Sequence, residues 1–154
     1  MVMQQQHKDE WCWAAVAVSV DHYFNPNSES TQEGLAAQIT ANDTGCGTRP
    51  DCPEPLQTAL DLVGCLNGDP ETDSLSFAEV QTAIGNFLPL CIRIGWFGGG
   101  GHFVAIDGVG STPAGDPLVH VKDPFFGDFT MIFNDFFENY LGAGAWSATF
   151  QVKD

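Results

Sequence analysis

The chain has 154 residues, 44% of them hydrophobic, with twelve Phe and four Trp, so it has the means to bury a single core and is neither disordered nor fibrous. Five basic residues against twenty acidic ones give a formal charge of −15, which sets nucleic acid and anionic membrane surfaces against it. The same charge favours a basic partner: a cationic substrate segment, an inhibitor or an immunity protein. No apolar run is long enough to cross a bilayer, and residues 1–10 lack the basic-then-apolar order of a signal peptide, so the expectation is a monomeric protein, either cytosolic or a module of a longer secreted chain.

Residues 10–24 are apolar nearly all round, at Trp11, Cys12, Trp13, Ala14, Ala15, Val16, Ala17, Val18 and Val20. A helix apolar on every side is a buried one, and the Ala-rich start favours helix over strand. It stops at Asn25-Pro26-Asn27, a turn signal with Pro beyond the end. Ser30 and Glu33 form a capping-box pattern that opens a second helix through residues 34–39. A loop rich in Gly, Cys and Pro spans 42–55, a third short helix 56–63, and a polar loop 67–73. Ser76 and Glu79 repeat the capping box and start a fourth helix to about residue 87.

After Pro89 the pattern changes to short strands at 90–96, 101–109, 118–122, 129–133 and 146–152, with one helix-like segment at 135–141. Helices followed by a run of strands predict an α+β domain with helices packed on a C-terminal antiparallel sheet.

The five cysteines are Cys12, Cys46, Cys52, Cys65 and Cys91, an odd count that leaves at least one unpaired. Cys91 lies in an apolar strand and reads as a small buried hydrophobe. One disulfide is expected between two of Cys46, Cys52 and Cys65. No CxxC pair and no nearby His point to structural zinc, and no motif implies a metal or cofactor.

Cys12 falls in the first turn of the buried helix, where unpaired N–H groups and the helix dipole favour a negative sulfur. Taken alone, a Cys in an apolar helix is more often inert packing. Among the histidines, His102 stands out because it follows Gly98-Gly99-Gly100-Gly101 and opens a strand, and a glycine run leaves room for another chain to approach. It also reads as a hairpin turn. A turn near 111–116 would return the chain antiparallel with paired positions summing to about 227, which puts Asp123 within diagonal reach of His102. Asp107 lies on the strand of His102 itself, roughly 17 Å along and on the opposite face.

Gln6, six residues before Cys12, and the run Trp11-Cys12-Trp13-Ala14-Ala15 resemble the active-site segment of papain-like cysteine peptidases. Gly101-His102-Phe103-Val104 and Asp123-Pro124 resemble the later motifs of compact bacterial members, among them effector proteases of plant-pathogenic bacteria and leader-cleaving domains of bacteriocin exporters. The resemblance runs in order from Gln6 to Asp123. It implies a papain-like fold, Cys12 as nucleophile, His102 as base, Asp123 as the group orienting the base, and Gln6 with the Cys12 N–H as oxyanion donors. Trp11, Trp13, Gly100 and Gly101 are expected to line the substrate cleft. Two departures stand: papain has Asn where this chain has Asp123, and Cys12 and His102 are 90 positions apart against about 130–150 in the papain and cathepsin group. A protein or peptide substrate is expected, as for an effector or toxin module. The same residues would also serve a peptidoglycan amidase, a deamidase or an acyltransferase, and an inactive domain of this fold would serve as a binding module.

Overall fold

The apolar run near the start of the chain folds as α1 (Cys12–Phe24), and every residue from Cys12 to Asp21 is buried, as its all-round apolar pattern requires. A computed structural model describes residues 1–41 and 56–154; the predicted 42–55 loop, and with it a Cys46–Cys52 pairing, lies outside the described residues. Helix α1 starts two residues later than predicted because Trp11 takes the cap position and its N–H closes a turn onto the Lys8 carbonyl at 3.1 Å.

Helix α2 (Gln32–Ala41) does not begin with the predicted Ser30–Glu33 box. Thr31, one residue on, takes the capping role, its Oγ1 accepting from the Gly34 N–H at 3.0 Å. Ser30 donates its hydroxyl to Asp21, while Glu33 turns to His7 at 2.6 Å. Two adjacent hydroxyls compete for one cap, and here the stronger partners of Ser30 and Glu33 lie elsewhere. Helix α3 (Leu56–Leu62) buries Leu56, Ala59 and Leu60. Before helix α4 (Phe77–Gly85) the second predicted box forms in full: the Ser76 N–H donates to the Glu79 carboxylate at 2.8 Å, and the Ser76 hydroxyl accepts from the Glu79 N–H.

Strands β1 (Leu90–Trp96), β2 (Gly101–Ser111), β3 (Pro117–Asp123), β4 (Gly127–Ile132) and β5 (Gly144–Gln151) make one antiparallel sheet in the order β4-β3-β2-β1-β5. Helix α5 (Phe133–Glu138) carries the chain from β4 back to the far edge, where β5 pairs with β1. The architecture is α+β, with helices on both faces of the sheet. Cys91, Phe150 and Val152 join the core formed by α1, α2 and α3. Leu90, Ile92 and Ile94, which alternate with Cys91 along β1, join Val80 of α4 and Phe136 of α5 in a second core. The continuous apolar run of β1 follows from burial on both faces. No helix among the described residues is long and apolar enough to cross a membrane.

Cys65 carries a free, buried thiol whose Sγ lies 3.7 Å from the Val63 carbonyl oxygen. The expected disulfide therefore does not use Cys65, which burial has placed among the apolar side chains of the helical core instead. Burial pushes that thiol up to about 11, and complete burial pushes the Cys91 thiol higher still.

Candidate active site

Three elements deliver one group to the same end of the sheet. Cys12 is the first residue of α1, His102 the second of β2, and Asp123 the last of β3. All three are buried, at 7%, 6% and 2% exposure. Helix α1 packs against β2, which brings the helix start to the strand that carries the imidazole.

The β2–β3 register explains the second junction. Ala105 pairs with Lys122 and Ile106 with Val121, positions that sum to 227. A bulge follows between Ile106 and Gly108, so that beyond it Gly108 faces His120. At the site end the register puts Asp123 on the diagonal from His102, and His102 Nε2 lies 2.9 Å from Asp123 Oδ1. A carboxylate only accepts, so Nε2 carries the hydrogen and Nδ1 is the nitrogen left for Cys12, which is close enough to act on the ring.

Burial pulls the His102 imidazole down, but the bond and charge of Asp123, with nearby Cys12 acting in the same direction, outweigh it and push the group up to about 9. Burial likewise works against ionised Asp123. The bond and charge of His102 prevail there, helped by Tyr140 and the Phe126 N–H, and hold the carboxyl below its ordinary range. At neutral pH the pair is imidazolium and carboxylate.

The other candidates divide. The Gln6 N–H donates to the Pro124 carbonyl at 2.9 Å, which ties its backbone to the Asp123 corner. Its side-chain amide is engaged locally, Nε2 donating to the carbonyls of Lys8 (2.8 Å) and Asp9 (2.7 Å), while Oε1 is buried without a partner among the described residues. The turn that precedes α1 folds back onto this amide, so Gln6 does not stand as a free oxyanion donor. Trp13 is 1% and Trp11 6% exposed, and both belong to the helical core. They anchor the start of α1 and present almost no surface to a cleft, contrary to the sequence-based expectation. Gly100 and Gly101 are exposed. Gly99 and Gly100 turn the β1–β2 hairpin at φ +98° and +85°, and the neighbour closest to Gly101 is the Arg93 guanidinium. His7, His22 and His120 are each engaged elsewhere, with Glu33, the Ser30 carbonyl and Asp107.

Three residues at the site escape sequence reasoning. Trp96 stacks on the His102 ring (centroids 5.7 Å apart, planes 14° apart), Phe126 meets it edge-on at 6.3 Å, and the Tyr140 hydroxyl bonds Asp123. A signal for Trp96 existed: the glycine run implies a hairpin with Ile94 opposite His102, and the residue two along from Ile94 shares that face. Tyr140 comes from beyond α5 and had no local signal.

A first helix buried against an antiparallel sheet, its opening thiol facing an imidazole from that sheet, is the arrangement of a papain-like protein. The profile of the family described as Papain-like cysteine protease AvrRpt2 matches residues 1–140, and the chain belongs to that family of cysteine peptidases. Among solved structures, the Crystal Structure of Pseudomonas Avirulence Protein AvrPphB is similar at 12% identity, covering 100% of this chain and 97% of that one with a TM-score of 0.45. No curated protein matches the chain.

Proposed function

We propose that the peptidase cleaves a protein substrate with Cys12 as nucleophile, His102 as acid and base, and Asp123 as the group that orients the imidazole. The observation that carries this reading is the buried His102–Asp123 pair, Nε2 to Oδ1 at 2.9 Å, with Cys12 close enough to help push the imidazole up to about 9.

A protonated imidazole beside the sulfur favours thiolate. The thiolate adds to the peptide carbonyl carbon, and the carbonyl electrons move to oxygen. The Cys12 N–H at the start of α1 points its dipole at that oxyanion. Gln6 reaches it only by releasing the carbonyl of Lys8 or Asp9. His102 Nδ1 gives its proton to the leaving amine as the C–N bond breaks, leaving a thioester on Cys12. Water then attacks the thioester, His102 takes a proton from it, and the acid product leaves with the thiolate restored. Asp123 holds Nε2–H throughout, so that Nδ1 is always the nitrogen that faces the sulfur.

A protein substrate with a basic segment would be drawn by a charge of −15. A basic inhibitor or immunity protein would be drawn in the same way, and a monomeric bacterial effector or toxin module is the setting that fits. Transfer to other amides or to acyl acceptors would use the same residues; membership of a peptidase family favours peptide hydrolysis.

Cys12→Ala and His102→Ala should each cost roughly a thousandfold or more in kcat/KM. Asp123→Asn should cost less, about 10- to 100-fold, because the Phe125 and Phe126 N–H groups (2.7 and 2.9 Å from Oδ1) still select an oxygen for the side facing His102. Mapping of new protein termini in a treated lysate, wild type against Cys12→Ala, measures this, and equal cleavage by both overturns the reading. Iodoacetamide should label Cys12 far faster than Cys65 or Cys91, whose thiols burial has raised.

A further inference from the structure

We infer that Tyr140 is a positioning residue of this site: its hydroxyl holds the second oxygen of Asp123 so that the first one faces His102. The inference rests on the reading of Cys12, His102 and Asp123 as the reacting group.

Asp123 is a buried carboxylate with two oxygens to satisfy. Oδ1 accepts from His102 Nε2 at 2.9 Å and from the backbone N–H groups of Phe125 (2.7 Å) and Phe126 (2.9 Å). Oδ2 accepts from the Tyr140 hydroxyl at 2.5 Å. Tyr140 is fully buried, and Phe136 fixes its ring edge-on at 5.5 Å with planes 86° apart. Trp96 lies 6.1 Å from the same ring and also stacks on His102, so one indole packs beside both the phenol and the imidazole.

A phenylalanine would fill this volume without taking a hydroxyl out of water, so packing alone does not account for the phenol. What the hydroxyl adds is a charge-assisted bond to an oxygen that would otherwise be buried and unpaired. Burial and the adjacent carboxylate push the phenol far above its ordinary range, so it stays protonated and acts as donor. It is one of the influences that hold the Asp123 carboxyl low. Without it, the carboxylate loses a donor, becomes easier to protonate, and gains freedom to rotate away from Nε2.

The test is Tyr140→Phe in the full chain, with kcat, KM and the pH profile of kcat/KM measured on a substrate cleaved by wild type, and Cys12→Ala run alongside. Expected are a loss of about tenfold in kcat, a KM within about twofold, and an acidic limb moved to higher pH. Tyr23 and Tyr140 are the two tyrosines of the chain, so Tyr23→Phe grown on 3-fluorotyrosine carries a more acidic hydroxyl donor at position 140 alone, and should keep kcat within about twofold of wild type with the acidic limb at or below its wild-type position. Tyr140→Phe with kcat and the acidic limb unchanged, while Cys12→Ala is inactive, overturns the role of Tyr140 and leaves the triad standing. A fall in thermal stability with no movement of the limb makes Tyr140 structural only and also overturns it. Retained cleavage by Cys12→Ala sinks the triad itself.

Discussion

The ionisation of His102 ties the site to the stability of the whole domain. Its folded value of about 9 lies above the unfolded value near 6.5. A raised base stabilises the fold in full below the unfolded value, and the contribution fades as pH rises through the folded one. Asp123 has the opposite sign: its carboxyl is lowered, so its share is present above the ordinary carboxylate range and is lost on acidification. The two titrate as one unit. An ionised Cys12 beside the ring gives up the proton that His102 keeps, so the effect is read in Cys12→Ala: denaturant unfolding as pH rises above 6.5 should show stability falling, by at most about 1.4 kcal/mol per pH unit for one proton. Asp123→Asn, which removes the charge that raises His102, should flatten the slope. A flat profile in Cys12→Ala would refute the raised imidazole.

Among the secondary elements, the most constrained point near the site is a glycine with an ordinary backbone. A Cβ on Gly144 would stand 2.7 Å from Ile94 Cγ2 and Trp96 Cε3 and 2.9 Å from the Gly95 carbonyl. The backbone atom cannot yield, and Trp96 moves only by leaving the face of His102. Gly144→Ala should cost about 1–3 kcal/mol in urea unfolding and lower kcat through the displaced indole; unchanged stability with full activity would show that β5 slides freely past β1. Gly101 differs, since its added Cβ meets the movable end of Arg93.

Local chemistry was legible where one answer dominated. The Ser76–Glu79 box and β1 form where the sequence predicts them. The Ser30–Glu33 box fails because Thr31 offers an equivalent hydroxyl one residue on. The diagonal from His102 to Asp123 was legible only in part: pairs next to the turn sum to 228, and the bulge between Ile106 and Gly108, which alternation does not reveal, brings the sum to 227 at the site. The engagement of Gln6 by the 8–9 carbonyls depends on the turn geometry before α1, and the phenol behind Asp123 on a contact across the fold. Periodicity and spacing do not encode these.

For the molecule as a whole, the two cores on opposite faces of the sheet have a mechanical consequence. The sulfur is borne by a helix rooted in one core, whereas the ring that confronts it leans on Trp96, which packs against the other. Their separation is therefore a property of how the two layers are seated, and a slippage of a fraction of an ångström in either would be felt first as silence at the thiol. Titrated with urea, turnover should fade at concentrations where far-ultraviolet circular dichroism is still native; coincident loss of both would mean the layers are welded more tightly than this architecture implies.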